Sequence, residues 1–176
     1  MASRIVSIVG RKNTGKTTLV VALVAEFVRR GRRVMTLKHG HHPAEVDRPG
    51  SDTWRHFHEG SAERTMIVSP DTRVLFERAL DETDPETLAR TYMRDVDLVL
   101  VEGFKRAPLP KVEVYRKGIG VPPIYESKAA NAKEWIAIVT DDPALRSDCR
   151  VLRFMDTMWL SLLASLAWER AKVLEP

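Results

Sequence analysis

The chain reads as an α/β protein, a mostly parallel central sheet flanked by helices with an antiparallel extension, and three observations predict it. Short β-rich runs alternate with helical stretches along the sequence. A loop with two glycines, Gly10-Arg11-Lys12-Asn13-Thr14-Gly15-Lys16-Thr17, stands between an apolar strand-like run and an amphipathic helix. Residues 96–101 form a nearly unbroken apolar run, the pattern of a strand buried on both faces of a parallel sheet.

The elements follow in chain order. Residues 4–9 are the first strand and 18–28 the first helix, which ends near Gly31 because glycine closes helices in a left-handed conformation. Residues 34–38 are a second strand, followed by a polar loop over 39–50 that holds three of the five histidines together with Pro43 and Pro49. Ser51, Asp52 and Thr53 cap a short helix through about Glu59, stopped by Gly60. Residues 65–68 and 73–76 are short strands joined by a Ser69-Pro70-Asp71 turn. Asp84 before Pro85 and Glu86 is an N-cap with proline at the first helical position, opening a helix to about Arg94.

After the apolar strand at 96–101, residues 111–115 alternate as another strand, and the Gly/Pro-rich stretch 118–123 is barred from helix. Residues 135–139 are a strand ending in Thr140, Asp141 and Asp142. Residues 151–154 are the last strand, and Asp156 caps a final helix to about Lys172. With no internal repeat or low-complexity linker, residues 1–176 read as a single domain.

Composition agrees with a soluble, intracellular chain. The 44% hydrophobic and 30% charged residues are ordinary for a globular protein. No apolar run approaches the ~20 residues of a membrane span, and no charged-then-apolar leader opens the chain. A single cysteine, Cys149, excludes an intrachain disulfide and a cysteine metal cluster, so a reducing cytoplasm is expected. The net charge of +4 suits an anionic ligand. The cluster Arg29, Arg30, Arg32 and Arg33 falls at a helix C-terminus, where cations complement the helix dipole, and no aromatic-interleaved basic motif points to nucleic acid.

Ligands of open α/β sheets sit beyond the carboxyl ends of strands, and four such ends carry polar residues here. The first is the octapeptide, which fits G-x-x-x-x-G-K-[ST], the Walker A phosphate loop, and so narrows the fold to a P-loop NTPase-like nucleotide-binding domain. Gly10 and Gly15 let the backbone wrap an oxyanion, and Asn13, Thr14 and Gly15 donate amides. Lys16 bridges β- and γ-phosphate oxygens, the Thr17 hydroxyl ligates Mg²⁺, and Thr18 follows at the helix start. The second is Glu102, directly after an apolar strand, where a Walker-B-type acid holds Mg²⁺ or its water.

The third end runs from Lys38 to His58 and contains every histidine: His39, His41, His42, His56 and His58, with Asp47, Gly50, Ser51, Asp52 and Arg55. A Zn²⁺ or Ni²⁺ site, a switch-like loop reaching the γ-phosphate and Mg²⁺ through Asp47 or Asp52, and a plain solvated loop all remain open for it. The fourth is Asp141, a carboxylate able to accept both the N1 and N2 protons of guanine. The expected catalytic set is therefore Lys16, Asp52 and Glu102. The expected Mg²⁺ ligands are Thr17, Glu102 and Asp47.

These motifs, in this order and spacing, resemble the MobB family, the nucleotide-binding adaptor proteins of molybdopterin-guanine dinucleotide biosynthesis. The similarity rests on the phosphate loop through Thr18; on Lys38-His39-Gly40-His41-His42 leading to Asp47, Gly50-Ser51-Asp52-Thr53 and Arg55; and on Leu100-Val101-Glu102-Gly103-Phe104-Lys105. It continues through Pro110-Lys111-Val112-Glu113-Val114-Tyr115-Arg116 and Ala137-Ile138-Val139-Thr140-Asp141. The resemblance implies a homodimer that binds GTP with Mg²⁺, weak GTPase activity, and cooperation with the MobA-type guanylyltransferase that joins GMP to molybdopterin, with molybdoenzymes as further partners. It carries GTP and Mg²⁺ binding to Lys16 and Thr17, the Walker-B role to Glu102 and base recognition to Asp141, although the guanine motif Asn-Lys-x-Asp is absent.

The expectation is a GTP-binding accessory protein, at most a slow Mg²⁺-dependent GTPase, since no arginine finger in cis is evident in the sequence. Two alternatives belong to other classes. One is a nucleotide-dependent metallochaperone using the histidine-rich segment. The other is a small-molecule kinase, for which the surroundings of Arg64 and Arg90 offer no recognisable lid.

Overall fold

A computed structural model of the chain describes residues 2–40, 47–79 and 83–175. In chain order its elements are β1 (Arg4–Gly10), α1 (Lys16–Arg29), β2 (Val34–Lys38), α2 (Asp52–His58), β3 (Arg64–Val68), β4 (Arg73–Glu77), α3 (Pro85–Tyr92), β5 (Leu98–Glu102), β6 (Lys111–Tyr115), β7 (Trp135–Thr140), β8 (Val151–Arg153), α4 (Trp159–Arg170) and β9 (Lys172–Val173). They divide into two compact units, one of Met1–His39 with Asp84–Pro176 and one of Gly40–Thr83.

In the larger unit the strands lie in the order β2-β5-β1-β6-β7-β8. All of these pairings are parallel, while β9 runs antiparallel beside Arg4 and Ile5 of β1. The unbroken apolar runs explain the layering. Val6 and Ile8 of β1 face one way, against Leu19, Leu23 and Phe27 of α1 and Leu163, Ala164 and Ala167 of α4. Ile5 faces the other way, with Val99 and Val101 of β5, Ala89 of α3 and Met93. Side chains such as Leu23 and Phe27, at 0% and 1% exposure, each contribute about 1.5–3 kcal/mol of burial. Leu19, Leu23 and Phe27 recur every fourth residue, so one stripe of α1 seats the helix on the sheet. The helix closes as its glycine requires: Arg32 N donates to Phe27 O and Gly31 N to Val28 O, with Gly31 at φ +75°.

Asp84 caps α3 by accepting from the amides of Glu86 and Thr87, with Pro85 at the start of the helix. Three local expectations are corrected. The Asp156 carboxylate does not cap α4; it turns back to accept from Arg153 N, and α4 starts at Trp159 behind a left-handed Met158 at φ +63°. Residues Lys117–Ile119 make one 3₁₀ turn that runs into the stretch 118–123 expected to lack helix, closed by Gly120. The last strand is β9, a two-residue pairing after α4.

In the smaller unit Ser51 accepts from Trp54 N at the start of α2, and β3 and β4 form an antiparallel hairpin with Ile67 opposite Val74. His41 and His42 lie outside the described residues. Among the described residues, no helix is long and apolar enough to cross a membrane.

Candidate functional site

Strand β1 delivers Gly10 to the carboxyl edge of the sheet, between β5 on one side and β6 on the other. The chain departs from there toward β2 on the β5 side, which makes this edge the switch point where α/β sheets take ligands. Gly10 has φ +153°, and a Cβ on it would sit 2.6 Å from the Val114 carbonyl oxygen and 2.7 Å from Thr14 Oγ1. Only glycine lets the loop pass so close to β6. The loop then turns through left-handed Asn13 and Gly15 into α1. Thr14 is buried and donates Oγ1 to Arg11 O at 3.0 Å, which ties the loop to itself. Among the described residues no side chain caps α1, so its N-terminal amides and dipole are open to an anion.

Lys16 reaches back across this loop and donates Nζ to Arg11 O at 2.8 Å. Burial lowers its ammonium pKa below the usual lysine value, with Glu102 opposing that shift and Lys38 adding to it. On the next residue, Thr17 Oγ1 donates to Glu102, 2.8 Å from Oε1 and 2.9 Å from Oε2. Glu102 ends β5, paired with Ile8 of β1, and this register brings its carboxylate to the first turn of α1. A hydroxyl and a carboxylate beside a phosphate cradle form the hard oxygen donor set that Mg²⁺ takes, so these residues fit that ion. Lys38 Nζ lies 3.9 Å from Glu102 Oε1.

The backbone after Glu102 is held from several sides. Gly103 N donates to Ile8 O, and the fully buried Ser7 donates Oγ to Gly103 O at 2.7 Å. A Cβ on Gly103 would lie 3.1 Å from His39 Cβ, and Phe104 takes φ +48°. His39 N donates to Glu102 O, and the His39 ring stacks on Phe104 with centroids 4.5 Å apart. The ends of β2 and β5 are therefore joined at this site through His39.

Asp141, just beyond β7, accepts from Lys117 N at 2.9 Å and pairs with Arg116 Nη1 at 3.4 Å. The Lys117 amide, followed by the Arg116 charge, holds its carboxyl below the ordinary aspartate value despite partial burial. Arg116 also donates Nε to Thr14 O at 3.1 Å and lies 4.0 Å over the Phe154 ring. Arg116 and Phe154 were not among the expected site residues. Each stands immediately after a strand that ends at this edge, and Arg116 also closes the segment from Pro110 that carries the family resemblance.

The larger unit thus brings together Gly10, Asn13, Thr14, Gly15, Lys16, Thr17 and Glu102, with Asp141 tied to the loop through Arg116. Thr18 is exposed on the first turn of α1. Asp47 and Asp52 belong to the smaller unit. There Asp47 accepts from Thr53 Oγ1 at 2.7 Å, Ser51 Oγ at 2.9 Å and Arg48 N at 2.8 Å, so its carboxylate organises the start of α2. The Thr53 hydroxyl is the chief reason its carboxyl stays below the ordinary aspartate value. Asp52 is exposed in the first turn of α2, where its charge suits the helix dipole. His58 lies against Trp54, ring centroids 4.4 Å apart. Among the described residues there is no group of three or more His, Cys, Asp or Glu able to hold a metal ion.

Comparison with known proteins adds kinship to this geometry. The family model for MobB, molybdopterin guanine dinucleotide synthesis protein B, matches residues 5–141. The molybdopterin-guanine dinucleotide biosynthesis adapter protein of Escherichia coli is 34% identical over 151 residues, 84% of this chain and 83% of that protein. The protein of the same name from Haemophilus influenzae is 37% identical over 120 residues, 67% of this chain and 66%, just under two thirds, of that protein. The crystal structure of Bacillus subtilis MobB superposes with a TM-score of 0.69 over 93% of this chain and 97% of its own, at 23% identity. A MobB homolog from Bacillus stearothermophilus gives 0.62 over 92% and 97%, at 26% identity. The structural likeness establishes the P-loop NTPase-like fold. With the phosphate loop near one end of the matched segment and Asp141 at the other, the chain belongs to the MobB family.

Proposed function

We propose that this chain is an adapter of molybdopterin-guanine dinucleotide biosynthesis that binds GTP with Mg²⁺ and turns it over slowly. The observation that carries the nucleotide reading is the Thr17 hydroxyl donating to both Glu102 oxygens beside the Gly10 cradle. Loop amides and the α1 N-terminus receive phosphate oxygens. Lys16 exchanges the Arg11 carbonyl for a phosphate, whose negative charge offsets the hydration that partial burial takes away. Glu102 orients the Thr17 hydroxyl, and Mg²⁺ neutralises charge on the phosphates when bound. Slow turnover fits the arrangement of Arg116, whose Nε and Nη1 are given to Thr14 O and Asp141 and hold it against the loop. As an adapter the chain acts as a homodimer in the cytoplasm, and its partner is the MobA-type guanylyltransferase, with molybdoenzymes downstream.

Titration calorimetry with GTP and ATP tests the nucleotide reading. Wild type is expected to bind GTP in preference to ATP. Lys16→Ala should lose binding with its circular dichroism intact, and Glu102→Gln should lose the Mg²⁺ dependence. Undiminished GTP affinity in Lys16→Ala refutes the loop assignment. Co-purification of a guanylyltransferase from a cell that makes the dinucleotide tests the adapter role, and its absence from the captured proteins counts against it.

A further inference from the structure

Arg116, one residue past β6, connects two parts of the site that are otherwise separate. Its Nε donates to Thr14 O at 3.1 Å, its Nη1 lies 3.4 Å from Asp141 Oδ2, and its guanidinium rests 4.0 Å over the Phe154 ring. Its Nη2 is 3.6 Å from where a Cβ on Gly15 would stand. The Thr14 carbonyl belongs to the peptide whose other end is the Gly15 amide. In a planar trans peptide the C=O and N–H point to opposite sides, so a donor fixed on Thr14 O also fixes the direction of Gly15 N–H. Thr14 is 1% exposed, so little besides the guanidinium competes for that oxygen.

The other end of the fork is equally constrained. Asp141 Oδ1 accepts from Lys117 N, so one carboxylate holds both the backbone after Arg116 and the guanidinium itself. Phe154 supplies an aromatic face 4.0 Å from the guanidinium, a contact that suits a planar, weakly hydrated cation better than a lysine ammonium. An isolated, half-exposed ion pair contributes little by itself. Here the pair is one side of a three-point seat, and the remaining point is a phosphate-loop peptide.

We propose that Arg116 is a positioning residue for the phosphate loop, a planar fork that transmits the state of Asp141 to the Gly15 amide. The proposal rests on the nucleotide reading above and adds to it a coupling between the base side of the site and its phosphate side. A base that takes the Asp141 carboxylate competes with Arg116 for it and is thereby felt at the loop.

The test compares wild type, Arg116→Lys and Asp141→Asn. Calorimetry with GDP and GTP is combined with amide NMR of the unliganded proteins. Arg116→Lys keeps the cation and the stem but not the fork, and is expected to weaken GDP and GTP by the same factor, about tenfold. Asp141→Asn is expected to shift the unliganded Thr14 and Gly15 amide resonances while leaving those around Gly31 in place, with the melting temperature unchanged. Wild-type affinity in Arg116→Lys shows that a point charge suffices and overturns the proposal. A loss confined to GTP marks a direct contact with the terminal phosphate and overturns it as well. Unmoved Thr14 and Gly15 amides in Asp141→Asn remove the coupling. A wild type that binds neither nucleotide defeats the nucleotide reading itself, whereas a wild type that binds and is matched by Arg116→Lys defeats only this proposal.

Discussion

Replacing Gly10 by alanine puts the geometry of the loop to a quantitative test. The added Cβ stands 2.6 Å from the Val114 carbonyl and 2.7 Å from Thr14 Oγ1, where ordinary contact is 3.4–4 Å. The Val114 oxygen is backbone in a sheet strand and cannot swing away, so β1 and β6 must part or the loop must move. Overpacking of this kind costs about 1–3 kcal/mol. The φ of +153° lies in a region that is almost exclusively glycine's and adds about 1–3 kcal/mol. The expected loss is therefore about 4 kcal/mol, or a melting temperature lower by about 8–16 °C at this chain length.

Gly31→Ala supplies the control. Gly31 also has positive φ, +75°, but among the described residues nothing lies within 4 Å of its Cβ position. It should lose only the left-handed penalty, about 1 kcal/mol after the entropy gained in the unfolded chain is subtracted. Urea unfolding of both variants gives the two numbers directly. Losses that agree within about 0.5 kcal/mol refute the argument that close approach to β6, rather than φ alone, requires the glycine. GTP calorimetry on Gly10→Ala should show weakened binding under conditions where the variant is folded.

Three further outcomes are expected. Burial raises the Glu113 carboxyl pKa above the usual value of 4.5, against the Ile124 and Tyr125 amides that donate to it. The folded state therefore keeps this proton longer than the unfolded chain does. That contribution to stability is present below about pH 4.5 and is lost as pH rises through the folded value, with a slope of at most about 1.4 kcal/mol per pH unit. Urea titrations from pH 4 to 7 should show Glu113→Gln without that loss, and parallel profiles refute it. The Cys149 thiol is pushed up to about 11, chiefly by burial. Near pH 8 iodoacetamide should thus alkylate it roughly a hundredfold more slowly in the native protein than in urea, and equal rates reject its enclosure. Lys111, at 0% exposure, donates to Ala107 O, Leu109 O and Glu134, so Lys111→Met should cost about 2–4 kcal/mol in urea unfolding. Unchanged stability means that an apolar side chain serves equally well there.

Elements with a strong local pattern were legible in the sequence. β2 and β6 occupy the expected residues, since alternation and apolar runs are read directly from the chain. The Asp84-Pro85 start of α3 and the glycine stop of α1 are equally local chemistry. What escaped depends on distant partners. β9 is two exposed residues that become a strand only because the amino-terminal part of β1 lacks a neighbour on that side. Asp156 has the residue type of a cap, but the amide it meets is Arg153 N, because Met158 turns left-handed before α4. At the site, the phosphate loop and Glu102 were legible because strand, glycine and helix follow one another. Arg116 was not, because its partner is a main-chain oxygen 102 residues away.

The strand order also sets a timetable for the newborn chain. β1 is made first, yet its sheet neighbours are residues 98–102 of β5 and 111–114 of β6. At about 5–20 residues per second, β1 waits roughly 5–20 s on the ribosome with both edges unpaired. The groove beside Gly10 comes into being only when Val114 has been added. A half-made chain therefore lacks the finished cradle, which is complete only once synthesis has passed the middle of the sheet. Until then β1 is a bare, sticky edge, and chaperone holdases would find their target there.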